Sequence, residues 1–275
     1  MKIALCFSGG IRNFQDNFQS IYNNLILPLN PDIFIHGWYF KIDQIHNKHK
    51  IYTGTETPQD TVLQLLKPTS YKFETYDKHK EDELSNRFKI KQIQNFYKDN
   101  PRLIELYPNT VGMFWSIYQS NLLKSNYEKT HNFKYDIVIR CRPDFIYYTK
   151  LNIHTLKLVQ KNTLLFPLDN YAFVTQMCDK FAIGSSHDMD IYSELILYMN
   201  IYIDKYPKYF WDGPSILKKH LQDFNINIKW IFFDYDYHIR KKSQRLTKDK
   251  LSQISYSQNL FIMIPKKYNL HFINE

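Results

Sequence analysis

The sequence predicts an α/β protein built on a mixed, mostly parallel sheet flanked by helices. Three observations carry that expectation. Short apolar, β-branched runs alternate with amphipathic helical stretches from one end of the chain to the other. One run, Tyr135-Asp136-Ile137-Val138-Ile139-Arg140, is apolar enough to need burial on both faces, as a central strand has. No repeat and no Pro/Gly/Ser-rich linker interrupts the alternation, so one layered domain is the economical architecture.

Lys2 to Phe7 is a short apolar strand that stops at the tight turn Ser8-Gly9-Gly10, and the stretch up to Leu27, ahead of Pro28, reads as a helix. Asp32 to His36, between Pro31 and Gly37, is a second strand, and Tyr71 to Tyr76 alternates as a third. Between them Lys41 to Thr57 is polar, His-rich and poorly periodic, which predicts a surface loop. Val111, Phe114, Trp115, Tyr118 and Leu122 share one helical face. The buried strand Tyr135 to Arg140 follows, then strands Leu164 to Phe166 and Lys180 to Gly184. Tyr192, Leu195, Ile196, Met199 and Ile203 mark another helix. A further helix starts at Asp212-Gly213-Pro214, where Asp can cap and Pro can fill the first turn, and Ile228 to Phe233 is the last strand.

At 275 residues, with 44% hydrophobic and 23% charged side chains, the chain can bury a sizeable core, and wholesale disorder is excluded. No apolar run reaches the roughly 18 residues of a membrane span, and the Met1 to Phe7 segment has no secretory signal pattern, so a soluble, cytoplasmic protein is expected. Cys6, Cys141 and Cys178 are odd in number and far apart, which leaves neither a disulfide framework nor a Cys-x-x-Cys metal site and points to a reducing compartment. Ten histidines lack zinc-site spacing. A net charge of +9 favours polyanionic partners. Its dense part, Arg240 to Lys250, has no aromatic ladder and suits a solvated or membrane-facing tail better than a nucleic-acid groove.

Ligands of open α/β sheets bind beyond the carboxyl ends of the strands, so the residues after each strand are the candidates. Ser8-Gly9-Gly10-Ile11-Arg12 lets backbone N–H groups approach an anion, with Arg12 adding a charge-assisted contact. It is not a Walker loop, and it lacks the Asp and Ser of the pyrophosphatase loop Ser-Gly-Gly-x-Asp-Ser. His36 and Trp38 stand after the second strand, Trp38 as a stacking surface for a base or sugar or as a plain packing residue. Arg140-Cys141-Arg142-Pro143-Asp144 is the densest polar cluster; it either faces a cleft or pairs internally through Asp144. Asp179 and Asp212 head later elements and suit a general base, although Asp212 is equally a helix cap.

Tyr135 to Asp144, preceded by the helix Met113 to Tyr127 and followed by Asp179-Lys180-Phe181-Ala182-Ile183-Gly184, resembles a group of viral and bacterial GT-A-type glycosyltransferases that make surface glycans. Ala4 to Arg12 and Ile35-His36-Gly37-Trp38 look like that group's first two strand ends. The resemblance spans most of residues 1–240, leaving 241–275 as a basic extension. It implies a GT-A-like sheet with a donor half over about 1–150 and an acceptor half over 151–240. It implies a UDP- or GDP-linked sugar donor held by Ser8, Gly9, Arg12, His36, Trp38, Gln119, Arg140, Arg142 and Asp144. The acceptor would be an oligosaccharide or glycoprotein hydroxyl, with Asp179 as base and Asp212 in reserve. Such enzymes hold Mn²⁺ or Mg²⁺ on an Asp-x-Asp motif; here Arg142 replaces the first Asp, so either Asp144 alone bears a metal or Arg140 or Arg142 neutralises the diphosphate instead. The group's acidic helix start is also displaced, since this chain has Gly213-Pro214-Ser215-Ile216-Leu217 there. The setting implied is host or bacterial cytoplasm with peripheral membrane contact and no nucleic acid. The competing expectation is a non-catalytic glycan- or polyanion-binding protein, whose binding would weaken steeply with salt.

Overall fold

Ile3–Gly10 forms β1, and all eight of its residues are buried, as a strand covered by helices on both faces requires. The computed structural model describes residues 1–40, 55–99, 101–167, 177–206, 213–237 and 270–271. Parallel to β1 lie β2 (Asp32–Phe40) on one side and β4 (Ile137–Cys141) on the other. Beyond β2, β3 (Ser70–Tyr76) closes one edge of the sheet. Beyond β4 comes β7 (Ala182–Gly184), antiparallel both to β4 and to its next neighbour β6 (Thr163–Pro167). Then β8 (Asn227–Ile231) and β10 (Leu270–His271) run parallel to β6. The sheet is therefore mixed and mostly parallel, in the order β10-β8-β6-β7-β4-β1-β2-β3. A second, two-stranded sheet pairs β5 (Phe145–Tyr147) with β9 (Tyr235–Tyr237).

Several elements differ from expectation for identifiable reasons. The second strand runs on through Gly37 to Phe40, because the missing side chain at Gly37 makes room for the Phe73 ring of β3; a Cβ there would stand 2.5 Å from that ring. The first helix, Phe14–Ile21, widens into a π-turn at Tyr22–Ile26 and continues as Leu27–Leu29. That change of hydrogen-bond register leaves Pro28 in a first turn, where no amide is needed. The central helix is Pro101–Thr130, 30 residues long, with Pro101 in its first turn. It spans about 45 Å and lies across β1 and β2. Helices Gln59–Leu66, Lys78–Arg87 and Ile90–Phe96 are additional to the expected set. The helix expected through Tyr192 and Ile203 is two, Ser186–Ser193 and Leu195–Lys205, meeting at Glu194. Helix Gly213–Asp223 precedes β8.

The core lies on both faces of the sheet, with Phe7, Phe34, Phe114, Phe166 and Phe181 fully buried. A buried polar knot ties the central helix to its surroundings. Lys124 Nζ donates to Ser186 Oγ (2.8 Å) and Asp190 Oδ1 (2.7 Å), and Glu128 Oε1 accepts the Tyr135 amide (2.9 Å) where the chain enters β4. The three cysteines are free and buried, and burial pushes the Cys6 thiol up to about 12. Among the described residues no helix is long and apolar enough to cross a membrane. The basic run Arg240 to Lys250 and most of the expected loop, residues 41–54, lie outside the described residues.

Candidate functional site

From β1 the chain moves through β2 to β3 on one side and then places β4 on the other. Connections leaving β1 and β4 therefore diverge, and a crevice opens above their carboxyl ends. The structure has a half-open cleft there with a volume of about 100 Å³. Gly9, Gly10 and Arg12 from the end of β1 meet Trp38 and Phe40 from β2 and Arg142 from beyond β4. Tyr76, Asn109, Gly112 and Met113 complete the lining from β3 and the central helix. The expected tight turn at Ser8-Gly9-Gly10 is instead the end of β1, paired with β2 through Gly10; Gly9 has φ 125° there, with nothing within 4 Å of where a Cβ would stand. At this φ a side chain would be strained.

The charged side chains converge on Asp144. Arg142 holds it with two parallel bonds, Nε to Oδ1 at 2.8 Å and Nη2 to Oδ2 at 2.7 Å, and Arg12 Nη2 reaches Oδ2 at 3.0 Å. Burial alone would raise the Asp144 pKa, but Arg142 and then Arg12 hold it below the usual aspartate value. Internal pairing through Asp144 thus occurs, with Arg142 and Arg12 as the partners. Arg140 is directed elsewhere: its Nε donates to Ser8 Oγ (3.0 Å) and its Nη1 to the backbone carbonyl of Asp179. Ser8 is fully buried within β1 and is not part of the cleft wall.

Trp38 lines the cleft while its indole N–H donates to the Gly112 carbonyl at 3.1 Å. His36 stands one layer deeper, edge-on to the Trp38 ring, between Ser116 Oγ and Glu74 Oε2, each at 2.8 Å. Burial lowers the His36 pKa, so the ring is neutral near pH 7. Gln119 accepts from Lys72 Nζ at 3.0 Å and does not line the cleft. His36 and Gln119 therefore belong to a polar layer between β2, β3 and the central helix, not to the cleft wall.

Asp179 reaches the same rim by a topological route. Because β7 runs against its neighbours, the chain entering it emerges where β1 and β4 end. A Cβ on Gly213 would stand 3.0 Å from Asp179 Oδ2 and 2.9 Å from Met113 Cε, so the Asp179 carboxylate stands beside a side chain of the cleft wall. Asp212 lies outside the described residues.

The Asp144 environment does not suit a divalent cation. Each of its oxygens already accepts from a guanidinium, whereas a hard cation needs several free oxygen ligands. Among the described residues no three His, Cys, Asp or Glu side chains converge as a metal site.

Cleft residues that the sequence did not single out include Phe40 and Tyr76, and Asn109, Gly112 and Met113 of the central helix. The alternation His36, Trp38, Phe40 was a signal for Phe40, hidden by reading Gly37 as a strand end. Nothing local marks Asn109 or Gly112, which reach the cleft only because the central helix crosses β1 and β2. No known family profile matches the chain, and no curated protein matches it.

Proposed function

We propose that the chain is a glycosyltransferase that moves a sugar from a UDP- or GDP-linked donor to a hydroxyl of an oligosaccharide or glycoprotein, in the making of a surface or virion glycan. The observation that carries this reading is the cleft at the strand-order reversal, where Arg12 and Arg142 stand beside the glycine end of β1 and the Asp179 carboxylate lies close to Met113 of the wall. The mixed, mostly parallel sheet is of the kind the GT-A resemblance implies.

On this reading the Gly9-Gly10 amides, Arg12 and Arg142 receive the donor diphosphate, and the half-buried Phe40 ring takes the nucleoside, while Trp38 and Tyr76, 2% and 3% exposed, serve as packing beneath it. The acceptor oxygen attacks the anomeric carbon as the bond from that carbon to the diphosphate oxygen breaks. The leaving group departs with the bonding pair, and the guanidinium groups stabilise the added negative charge. Asp179 takes the proton from the acceptor hydroxyl, and attack on the face opposite the departing diphosphate inverts the sugar carbon. Net charge of +9 suits anionic donors and peripheral contact with an anionic membrane face in the cytoplasm.

A thermal-shift panel of UDP, GDP, CMP and their sugars tests the reading, because a ligand at 100 times its Kd stabilises by about 2.7 kcal/mol. Base-selective stabilisation is the expected result. If no nucleotide stabilises the protein while sulfated glycans do, with a steep salt dependence, the chain is a polyanion binder instead.

A further inference from the structure

Two guanidinium groups meet on one carboxylate directly beneath the cleft, and both also form part of the cleft wall. Asp144 is 5% exposed, so this cluster is built into the interior rather than laid on the surface. Among the described residues it joins two guanidinium groups to one carboxylate. A divalent cation entering here would meet both guanidinium groups within about a hydrogen-bond length of Asp144, and like charges at that range repel strongly in a partly desolvated site.

We propose that Arg12 and Arg142 take the place of a divalent cation as the counter-charge of the ligand's diphosphate, with Asp144 holding the pair in register until the anion arrives. The inference rests on the nucleoside-diphosphate reading above and specifies its electrostatics. A guanidinium fork offers the same bidentate geometry to a carboxylate and to a phosphate, so the two anions compete for it. Arg142 is the group that changes partner, since its side chain is 14% exposed against 8% for Arg12. Asp144 has two opposing effects: it keeps two buried cations compensated in the empty protein, and it weakens anion binding by competing for the same donors.

Calorimetric titration of the full chain with UDP, GDP and pyrophosphate, first in EDTA and then in Mn²⁺, tests this. The expected result is the same affinity in both conditions, within about twofold. Removing one charge-assisted contact costs about tenfold or more, so Arg142→Gln should weaken all three ligands by that factor in EDTA. Asp144→Asn should bind pyrophosphate more tightly than the unmutated chain, the opposite of what loss of a metal ligand would do. Binding that requires Mn²⁺ and vanishes in Asp144→Asn overturns the proposal while leaving the nucleotide reading intact. If neither UDP nor GDP binds in either condition to a cooperatively folding chain, both fall. Should Asp144→Asn fail to fold, the comparison of EDTA with Mn²⁺ on the unmutated chain decides the question by itself.

Discussion

Asp179 is held in place through its main chain, since the buried Arg140 guanidinium donates to its carbonyl while the carboxylate stands beside Met113. The general-base role proposed for Asp179 would contribute about 10²–10⁴ to transfer. Asp179→Asn should lose that factor in sugar transfer while titrating nucleotide with unchanged affinity. A variant that transfers at the unmutated rate would remove Asp179 from the chemistry. The neighbourhood of this residue shows what a sequence can and cannot reveal about a site. Gly9, Trp38 and Arg142 were legible because each follows an apolar run that must be a strand, and strand ends face ligands. Ser8 and Arg140 meet the same criterion yet are buried, because β1 runs on to Gly10 and β4 to Cys141, and a sequence does not say where a strand stops. The bond from Arg12 to Asp144 joins residues 132 positions apart, and no local pattern announces it.

Among the elements, the central helix Pro101–Thr130 sets the site, carrying Asn109, Gly112 and Met113 into the cleft wall and Lys124 into the knot at its other end. Burial alone would raise the pKa of Glu128 and of Asp190, but Lys134 and Ser186 pull the first below its ordinary value and Lys124 the second. The folded state therefore favours the charged carboxylates. Their contribution to stability is complete above the ordinary carboxylate pKa of about 4 and is lost as pH falls through the lower folded values. Lys124→Met should destabilise the protein by about 1–3 kcal/mol in urea titrations near neutral pH, since it removes the buried cation shared by Glu128 and Asp190 while Lys134 and their other partners remain. Its melting temperature should also fall less between pH 6 and pH 3 than that of the unmutated chain, and an equal fall would show that the knot carries no such charge. Elements with strong periodicity were readable in advance: β1, β4, β6 and the later half of the central helix. Helices Lys78–Arg87 and Ile90–Phe96 were not, because their few apolar residues, Leu84, Ile90 and Ile93, find their burial against the central helix rather than in a stripe of their own. The break at Glu194 was hidden by apolar spacing that continues in phase across it.

At the scale of the molecule, one sheet separates two tasks by distance along its width. The cleft sits over β1, β2 and β4, whereas Leu270–His271 pairs with β8 at the far edge, with β6 and β7 between. Truncation after Arg240 should spare UDP or GDP binding in calorimetry while baring the β8 edge and weakening retention on anionic vesicles. Loss of nucleotide binding in that truncation would show instead that the C-terminal segment completes the cleft. Burial of the cysteines has a use that concerns time rather than place. Cys6 lies on β1 and Cys141 on β4, adjacent central strands, and both thiols are fully enclosed with their ionisation suppressed by burial. Neither can form a thiolate or meet a reagent until β1 and β4 part. An aromatic disulfide reagent in excess should therefore modify these two thiols at the rate at which the sheet opens, so that a single absorbance trace reads how long the native fold survives, and an added nucleotide should lengthen that survival by the factor one plus its ratio of concentration to Kd.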